Sequence, residues 1–515
     1  MNNNAIDLSG DVISTRAKII ASRGPEMMTR GDIETILEVG RRHKPPGYDE
    51  WASGVRLRYE GKQENIIRDA LAKRYPESYR RMAIIGINWL RMFAENDSGS
   101  YAKAPARNLI GQNGAVVGDG PQVQRFVDIV KKSCVDDVLA DFETKVLAAG
   151  TMFGVVDWDA LDNAPRITTH WPADTICVCH MSAPADIRRA YIFAHKITSP
   201  SGIADESIWW RVFVRSYESG ADGKPVFSPW SVQIVSDGGR VYRDGGEPVV
   251  QYDGILPVFV AHSGIPHGSI YLDIDRDITN VCDALNVSKS NEVYILDSQG
   301  HTPLYYAGDA LEAAQIDWGP DKMVKIGGNE VIQSVTMSPA FADMREGRKL
   351  ALRELAISRS NNPDAYATEP GPPLSGVSRR VQNIQHQRKL NRLAHGFVRM
   401  EETQLWPIVF DMSDGAGASP QLSGLQVQVI PDTEDEYEDQ ESVGRRIGDA
   451  LDRRLISPAA AASYMLPDVY PTIADAVAAG LSDEIGAPIK MSPTVSGFSA
   501  SIARDDTEEA EEDGR

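Results

Sequence analysis

The stretch 271–297, YLDIDRDITNVCDALNVSKSNEVYILD, constrains this chain more than any other. Ile274, Ile278, Val281, Cys282 and Leu285 recur at helical spacing and form one apolar stripe, with Asp273, Asp275, Asp277 and Asp283 off it. A small β-like segment follows over 302–336, then a second helix over 339–360, a Pro/Gly-rich break over 361–374 and a third helix over 376–410. Ser338 suits the N-cap of the second helix, and Pro339 its first position, where a missing N–H costs nothing. That helix carries Phe341, Met344, Leu352 and Leu355, with Arg345, Arg348, Lys349 and Arg353 over much of the rest. The third carries Val381, Ile384, Leu390, Leu393, Phe397 and Met400, and its end is placed at Trp406 and Pro407. At 1.5 Å per residue, about 33 residues reach roughly 50 Å, which suits a structural spoke better than a compact core. Helix, small insertion, helix, loop, long helix is an unusual order for an enzyme.

Upstream, 1–29 lacks periodicity and reads as an irregular arm. Residues 29–93 read as helical, with Ile66, Ile67, Ala70 and Leu71 on one stripe and Met82, Ile85, Trp89 and Phe93 on another. The segment 101–110 reads as a basic, proline-broken connection whose Lys103 and Arg107 are taken as surface charges. Glycines at 111, 114, 118 and 120, with no Lys-Ser/Thr after them, make a plain loop rather than a phosphate cradle. One helix is expected over 122–148, carrying Val123, Phe126, Val130, Cys134, Val138 and Phe142, and stopped by Gly150.

From Thr151 the apolar period becomes two. TMFGVVDW, RITTHW, TICVCH, AYIFAHKI, IWWRVFVRSY and WSVQIVS read as strands, and SDGGR and RDGGE as hairpin turns. Residues 30–270 are therefore expected to form an α+β domain, helices first and then a mostly antiparallel sheet. LQVQVI at 425–430 alternates strictly and is expected to return to that sheet. Thr433 with Glu436 forms a capping-box pattern for a helix to Arg454, and Ser457 with Pro458 caps a shorter one.

The net charge of −20 is concentrated. Residues 432–441 hold seven acids and no base, and 505–515 hold seven acids and one arginine, together −13. Both read as solvated segments. The remainder is only mildly acidic and does not promise the several phosphate-neutralising cations that tight, groove-type nucleic-acid binding needs. Four cysteines make no disulfide framework. MNNNAIDLSGD is not a secretory signal, and no apolar run approaches a membrane span. HExxH, GxSxG, Walker A and GxGxxG patterns are missing from the sequence. Asp273, Asp275 and Asp277 begin like a calcium loop, but Ile278 and Ala284 stand where its glycine and bidentate glutamate belong, so the three read as a charged helix start. Cys177, Cys179 and His180 have no zinc-type spacing to Cys134 or Cys282, and the thiols read as small buried apolar groups. His262 and His267 receive no role.

With these elements placed, 75–470 resembles the portal (head–tail connector) proteins of tailed bacteriophages. The resemblance lies in order: an α+β wing (30–270), a first stem helix (271–298) with Asp283-Ala-Leu-Asn286, a β-rich clip (299–337), a returning stem helix (338–360), a tunnel loop (361–377) with Leu374-Ser-Gly376, a spine helix and returning wing strand (378–431), a crown (432–480) with Leu455-Ile-Ser-Pro458, and a flexible acidic tail (481–515). Arg453 and Arg454 stand where many relatives carry a glycine, and Pro363, Pro370, Pro372 and Pro373 make the loop unusually proline-rich.

The resemblance implies a homo-oligomeric ring, on the order of twelve subunits, at one capsid vertex. It implies double-stranded DNA passing through without sequence specificity, and neither a catalytic site, a cofactor, a metal nor a membrane. Partners would be the terminase large subunit, docking on the clip, then head-completion or adaptor proteins, with major capsid and scaffolding proteins around the ring. The setting would be the virion, and the host cytoplasm during assembly. Tyr366, Ser375, Gly376, Arg379 and Arg380 fall in the channel loop, with Arg359 nearby as a further phosphate contact. Tyr305, Tyr306, Asp317, Trp318, Lys322 and Lys325 fall in the clip. On this reading the stem helices bury their stripes only against neighbouring subunits. The competing readings are a hydrolase acting on nucleic acid or cell wall, with perturbed carboxylates in a concave site, and an acidic adaptor or scaffold protein.

Overall fold

The computed structural model describes residues 38–159, 161–180, 183–198, 208–236 (without 216, 220–224 and 228), 250–272 (without 253), 275–300, 304–307, 331–334, 341–359 and 376–431, with single positions at 35, 457, 459, 461 and 477. The expected arm, the two Gly-Gly turns, the middle of the β-like segment (308–330), most of the tunnel loop, the capping box at Thr433 and the acidic runs beyond Pro431 lie outside the described residues. The chain divides into two compact units, Met1–Pro373 with Gln382–Thr433, and Leu374–Val381 with Glu434–Arg515. Of the second, the described part is the start of a helix and a few positions, among them the helical bond from Ala461 N–H to Ser457 O.

The architecture is α+β, as expected. α1 (Tyr48–Tyr59) buries Tyr48, Ala52, Val55 and Tyr59, one face of a helix. α2 (Glu64–Arg74) buries Ile67 and Leu71. The helix expected to run through Met82 is extended up to Asn88, whose side chain caps α3 (Trp89–Asp97) by accepting from Arg91 N. Met82 and Ile85 therefore share no helical stripe with Trp89 and Phe93. Tertiary bonding overrides local propensity here, because the Ile85 and Ile87 N–H groups donate to Ser290 Oγ and Asn286 Oδ1, both on a distant helix.

β1 (Ala106–Ile110) replaces the expected connection. The single helix expected over 122–148 is two, α4 (Pro121–Lys132) and α5 (Val135–Ala149). Between them Cys134 sits in the left-handed region at φ 48°, which ends one helix and re-aims the next. Ser133 assists by turning its hydroxyl onto the Ile129 carbonyl.

The strands follow: β2 (Thr151–Asp159), β3 (Ala164–His170), β4 (Thr175–Cys179), β5 (Ala190–Ile197), β6 (Trp209–Val214), β7 (Tyr217–Ser219), β8 (Pro225–Phe227), β9 (Trp230–Ser236), β10 (Val250–Tyr252) and β11 (Val258–His262). All pairing is antiparallel, but it makes two principal sheets rather than one, β11-β2-β3 and β10-β9-β6-β5-β4, beside a small β7-β8 ribbon. The three-stranded sheet is sandwiched. Phe259 meets Phe142 of α5 at 5.2 Å between ring centroids, and Phe153 meets Phe193 of the second sheet at 5.7 Å. Gly154 is obligatory in this layer, since a Cβ there would stand 2.1 Å from Phe259 Cζ.

Beyond the sheets come α6 (Asp277–Gly300), the antiparallel ribbon β12 (Leu304–Ala307) with β13 (Val331–Ser334), α7 (Phe341–Ser358) and α8 (Gly376–Met400). A π-helical turn, Glu401–Leu405, links α8 to α9 (Trp406–Gly415). The long helix thus passes through Trp406 and Pro407 instead of stopping there. The wider turn just before Pro407 relieves both its missing N–H and the clash of its ring with the preceding turn. β14 (Gln426–Ile430) pairs with β1 in a two-stranded ribbon of its own and does not rejoin the larger sheets.

Candidate functional site

The chemistry-bearing part of the molecule is the helix pair α6/α7 and its seat. α6 starts at Asp277, not at Tyr271: Asp275 Oδ1 accepts the Asp277 N–H at 3.0 Å, an aspartate turn that opens the helix. Along the pair, Glu292 meets Arg345 and Arg348, Ser288 meets Arg348, and Asp275 meets Arg359 at 3.7 Å. Partner numbers fall on α6 as they rise on α7, so the two run antiparallel. Glu292 is fully buried and collects Arg345 Nε at 3.0 Å, Lys289 Nζ at 3.1 Å and the Arg348 guanidinium. Burial pushes its pKa up, but hydrogen bonds from Arg345 and Lys289 and the Arg348 charge outweigh it and hold the carboxyl down to about 2.

The seat is polar as well as apolar. Arg58 of α1 grips Asp283 through two bonds of 2.8 and 2.6 Å. Asn286 both donates to and accepts from the Ile87 backbone. Ile278, Cys282 and Leu285 are at most 5% exposed within one core that includes Phe93, Leu352, Leu355 and Phe397. The α6 stripe is therefore buried by its own chain, which corrects the expectation that only a neighbouring subunit could cover it: the extended segment before α3 and the three N-terminal helices supply the missing wall. What stays uncovered is elsewhere. Leu350 and Ile357, seven residues apart on α7, are 55% and 64% exposed. Gly347 on the same face has open space around it.

Three further buried carboxylates were not legible as sites. Glu401, in the π turn, accepts from Tyr101 Oη at 2.7 Å, Arg107 Nε at 2.8 Å and Trp406 Nε1 at 3.0 Å. Arg107, expected on the surface, is almost wholly buried and also bonds Asp136 at 2.6 Å. Lys103 is exposed. Glu143 on α5 sits in a cradle of backbone N–H groups from Gly99, Ser100 and Tyr101 and takes the Ser100 hydroxyl at 2.6 Å. Burial raises its pKa against those bonds. Asp97 binds Lys389 Nζ at 2.8 Å, with Arg359 at 3.9 Å. Arg359, just past α7, thus ties Asp97 at the end of α3 to Asp275 in the turn before α6 rather than standing as a free phosphate contact.

Each of these carboxylates is saturated by cations or donors, which suits joints rather than general acid–base work. A depression lined by Gly61, Gln63, Glu64, Met82, Ile84 and Gly86 offers a single carboxylate, itself paired with Arg68. Among the described residues no His, Cys, Asp and Glu group could hold a metal, and no helix is long and apolar enough to cross a membrane. Cys177 and Cys179 are buried with sulfurs 3.7 Å apart.

Of the sequence-derived candidates, Tyr305 and Tyr306 lie on β12, opposite Gln333 and Ile332 of β13. Gly376, Arg379 and Arg380 lie in the first turns of α8. Tyr366, Ser375, Asp317, Trp318, Lys322 and Lys325 fall outside the described residues.

No protein-family model matches the chain, and no curated protein does. Solved structures similar to it include a chain of the virion of a native gene transfer agent particle, with 12% identity and a TM-score of 0.37 over 73% of this chain and 89% of that one. A chain from the neck of the native particle, computed with C12 symmetry, has 11% identity and a TM-score of 0.40 over 76% and 92%. One from the neck of the empty particle, computed with C6 symmetry, has 13% identity and a TM-score of 0.34 over 72% and 88%. Likeness of this degree decides no function.

Proposed function

We propose that this chain is a portal subunit: a non-catalytic building block of a ring, on the order of twelve copies, through which double-stranded DNA enters and leaves a phage-type capsid. The observation that carries the reading is the excursion α6–ribbon–α7, tied back to the α+β body at its base and followed by the long α8. Such an excursion with Leu350 and Ile357 uncovered on α7 fits packing against another copy. In this reading the clip segment 299–337, with Tyr305, Tyr306, Asp317, Trp318, Lys322 and Lys325, is the terminase and adaptor docking end. The segment 361–377, with Tyr366, Ser375 and Gly376, and the adjoining Arg379 and Arg380 line the channel. Capsid and scaffolding proteins surround the ring, and the virion is its setting.

Light-scattering mass and negative-stain microscopy of the purified chain test this. Rings with a central hole are expected, and Leu350→Asp with Ile357→Asp is expected to break them while leaving the subunit folded. A monomer that stays monomeric at high concentration, and whose mass the double variant leaves unchanged, refutes the reading.

A further inference from the structure

We infer that the exposed face of α8 is a docking surface for the phosphate backbone of duplex nucleic acid. Arg388, Arg392, His395 and Arg399 are all exposed and fall at intervals of four, three and four residues, which places them on one face. The opposite face, Leu393, Ala394, Phe397 and Met400, is buried in the core, so the basic row is held rigidly and points outward. The sign of this face runs against the chain, whose net charge is −20.

The contrast with the neighbouring lysine is informative. Lys389 is drawn inward to Asp97 at 2.8 Å, whereas Arg388, Arg392 and Arg399 make no ion pair among the described residues. Three guanidiniums in a row repel one another, and an external anion relieves that repulsion. Asn391 and Gly396 are the exposed residues between them, and a Cβ at Gly396 would meet nothing within 4 Å, so a broad partner can come close. No large apolar side chain is exposed in the row, which leaves an apolar protein partner little to bury.

Geometry favours duplex over a flexible acidic segment. The row spans roughly 16 Å at 1.5 Å per residue. A straight row of cations on a rigid helix matches the regular phosphates of a duplex without ordering cost, whereas an acidic peptide pays conformational entropy to lie along it. Arginine forks bind phosphate through paired bonds, and nothing in the row is placed to read bases, so binding is independent of sequence. The inference goes beyond the ring reading and does not need it, since the whole row lies on one chain.

The test is fluorescence anisotropy of a labelled duplex of about 20 base pairs, titrated with full-length protein over a salt series. The triple variant Arg388→Gln, Arg392→Gln, Arg399→Gln is expected to lose at least tenfold in affinity at low salt. With about 0.9 in slope per phosphate contact, its plot of log K against log salt should flatten by about 2.7. The charge-conserving Arg388→Lys, Arg392→Lys, Arg399→Lys variant should keep the slope, which separates loss of cations from loss of fold. An unchanged slope and affinity in the glutamine variant overturns the inference. So does wild-type protein that binds polyglutamate more tightly than duplex of equal charge. Particle mass is read separately: a chain that forms no ring but shows the slope change keeps this inference, and a ring without the change loses only this one.

Discussion

His195 lies on β5, opposite Thr175 of β4 and Arg211 of β6, and is 3% exposed. Its ring centroid is 4.2 Å from that of His170 at the end of β3, so the two imidazoles bridge the two sheets. Among the described residues neither ring nitrogen of His195 makes a hydrogen bond of ordinary geometry. Burial first, then the His170 and Arg211 charges, push its pKa from 6.5 down to about 2. His170 is lowered to about 4 by burial, with Asp174 and Asp157 opposing and Arg211 assisting.

The sign follows from linkage. The folded state keeps the imidazole neutral while the unfolded chain takes a proton below its ordinary pKa, so stability is full above about 6.5 and falls as the pH drops below it. Between about pH 7.5 and pH 5, a group titrating near 6.5 unfolded and far below 5 folded forfeits about 2 kcal/mol. His195→Phe removes that titration and puts a ring among the rings of Phe193 and Phe213. Urea unfolding at both pH values, followed by the fluorescence of Trp209, Trp210 and Trp230 in the same sheet, measures it. The wild type should lose about 2 kcal/mol more than the variant on acidification, and any change in packing cancels in the difference. A variant with the acid sensitivity of the wild type would refute the argument.

Two other perturbations follow from the buried carboxylates. Glu401→Ala leaves buried Arg107 with Asp136 as its remaining carboxylate among the described residues and takes the acceptor from Tyr101 and Trp406, which should cost roughly 3 kcal/mol in chemical denaturation, with Glu401→Gln losing less because it still accepts from Tyr101. Glu292→Gln removes a carboxylate whose lowered pKa contributes stability above about 4.5 and loses it as pH falls towards 2. Amide exchange across Phe341–Ser358 should speed up in that variant by about thirtyfold, corresponding to about 2 kcal/mol.

The elements that were legible in the sequence are those whose periodicity is self-contained. The run of strands from Thr151 to Ser236 shows alternating or continuous apolar residues, and the helical stripe of Ile278, Cys282 and Leu285 is buried on one face. Where the reading failed, a distant partner had the deciding role. The stretch through Ile85 and Ile87 has apolar residues at helical intervals, yet its backbone N–H groups are claimed by Ser290 and Asn286. β1 looked like a connection because its partner β14 lies some three hundred residues on. Arg107 looked like a surface charge for the same reason, since Glu401 is 294 positions away.

By itself, then, the sequence determined the run of strands from Thr151 to Ser236, the α+β class, and the helix–ribbon–helix excursion, because period, caps and turn residues act over a few neighbours. Only the tertiary structure decided that the strands divide into two sheets, that the α6 stripe is covered by its own chain, and that the buried acids are joints. Those outcomes depend on which donors, cations and apolar faces meet across hundreds of residues, and no local pattern encodes such meetings.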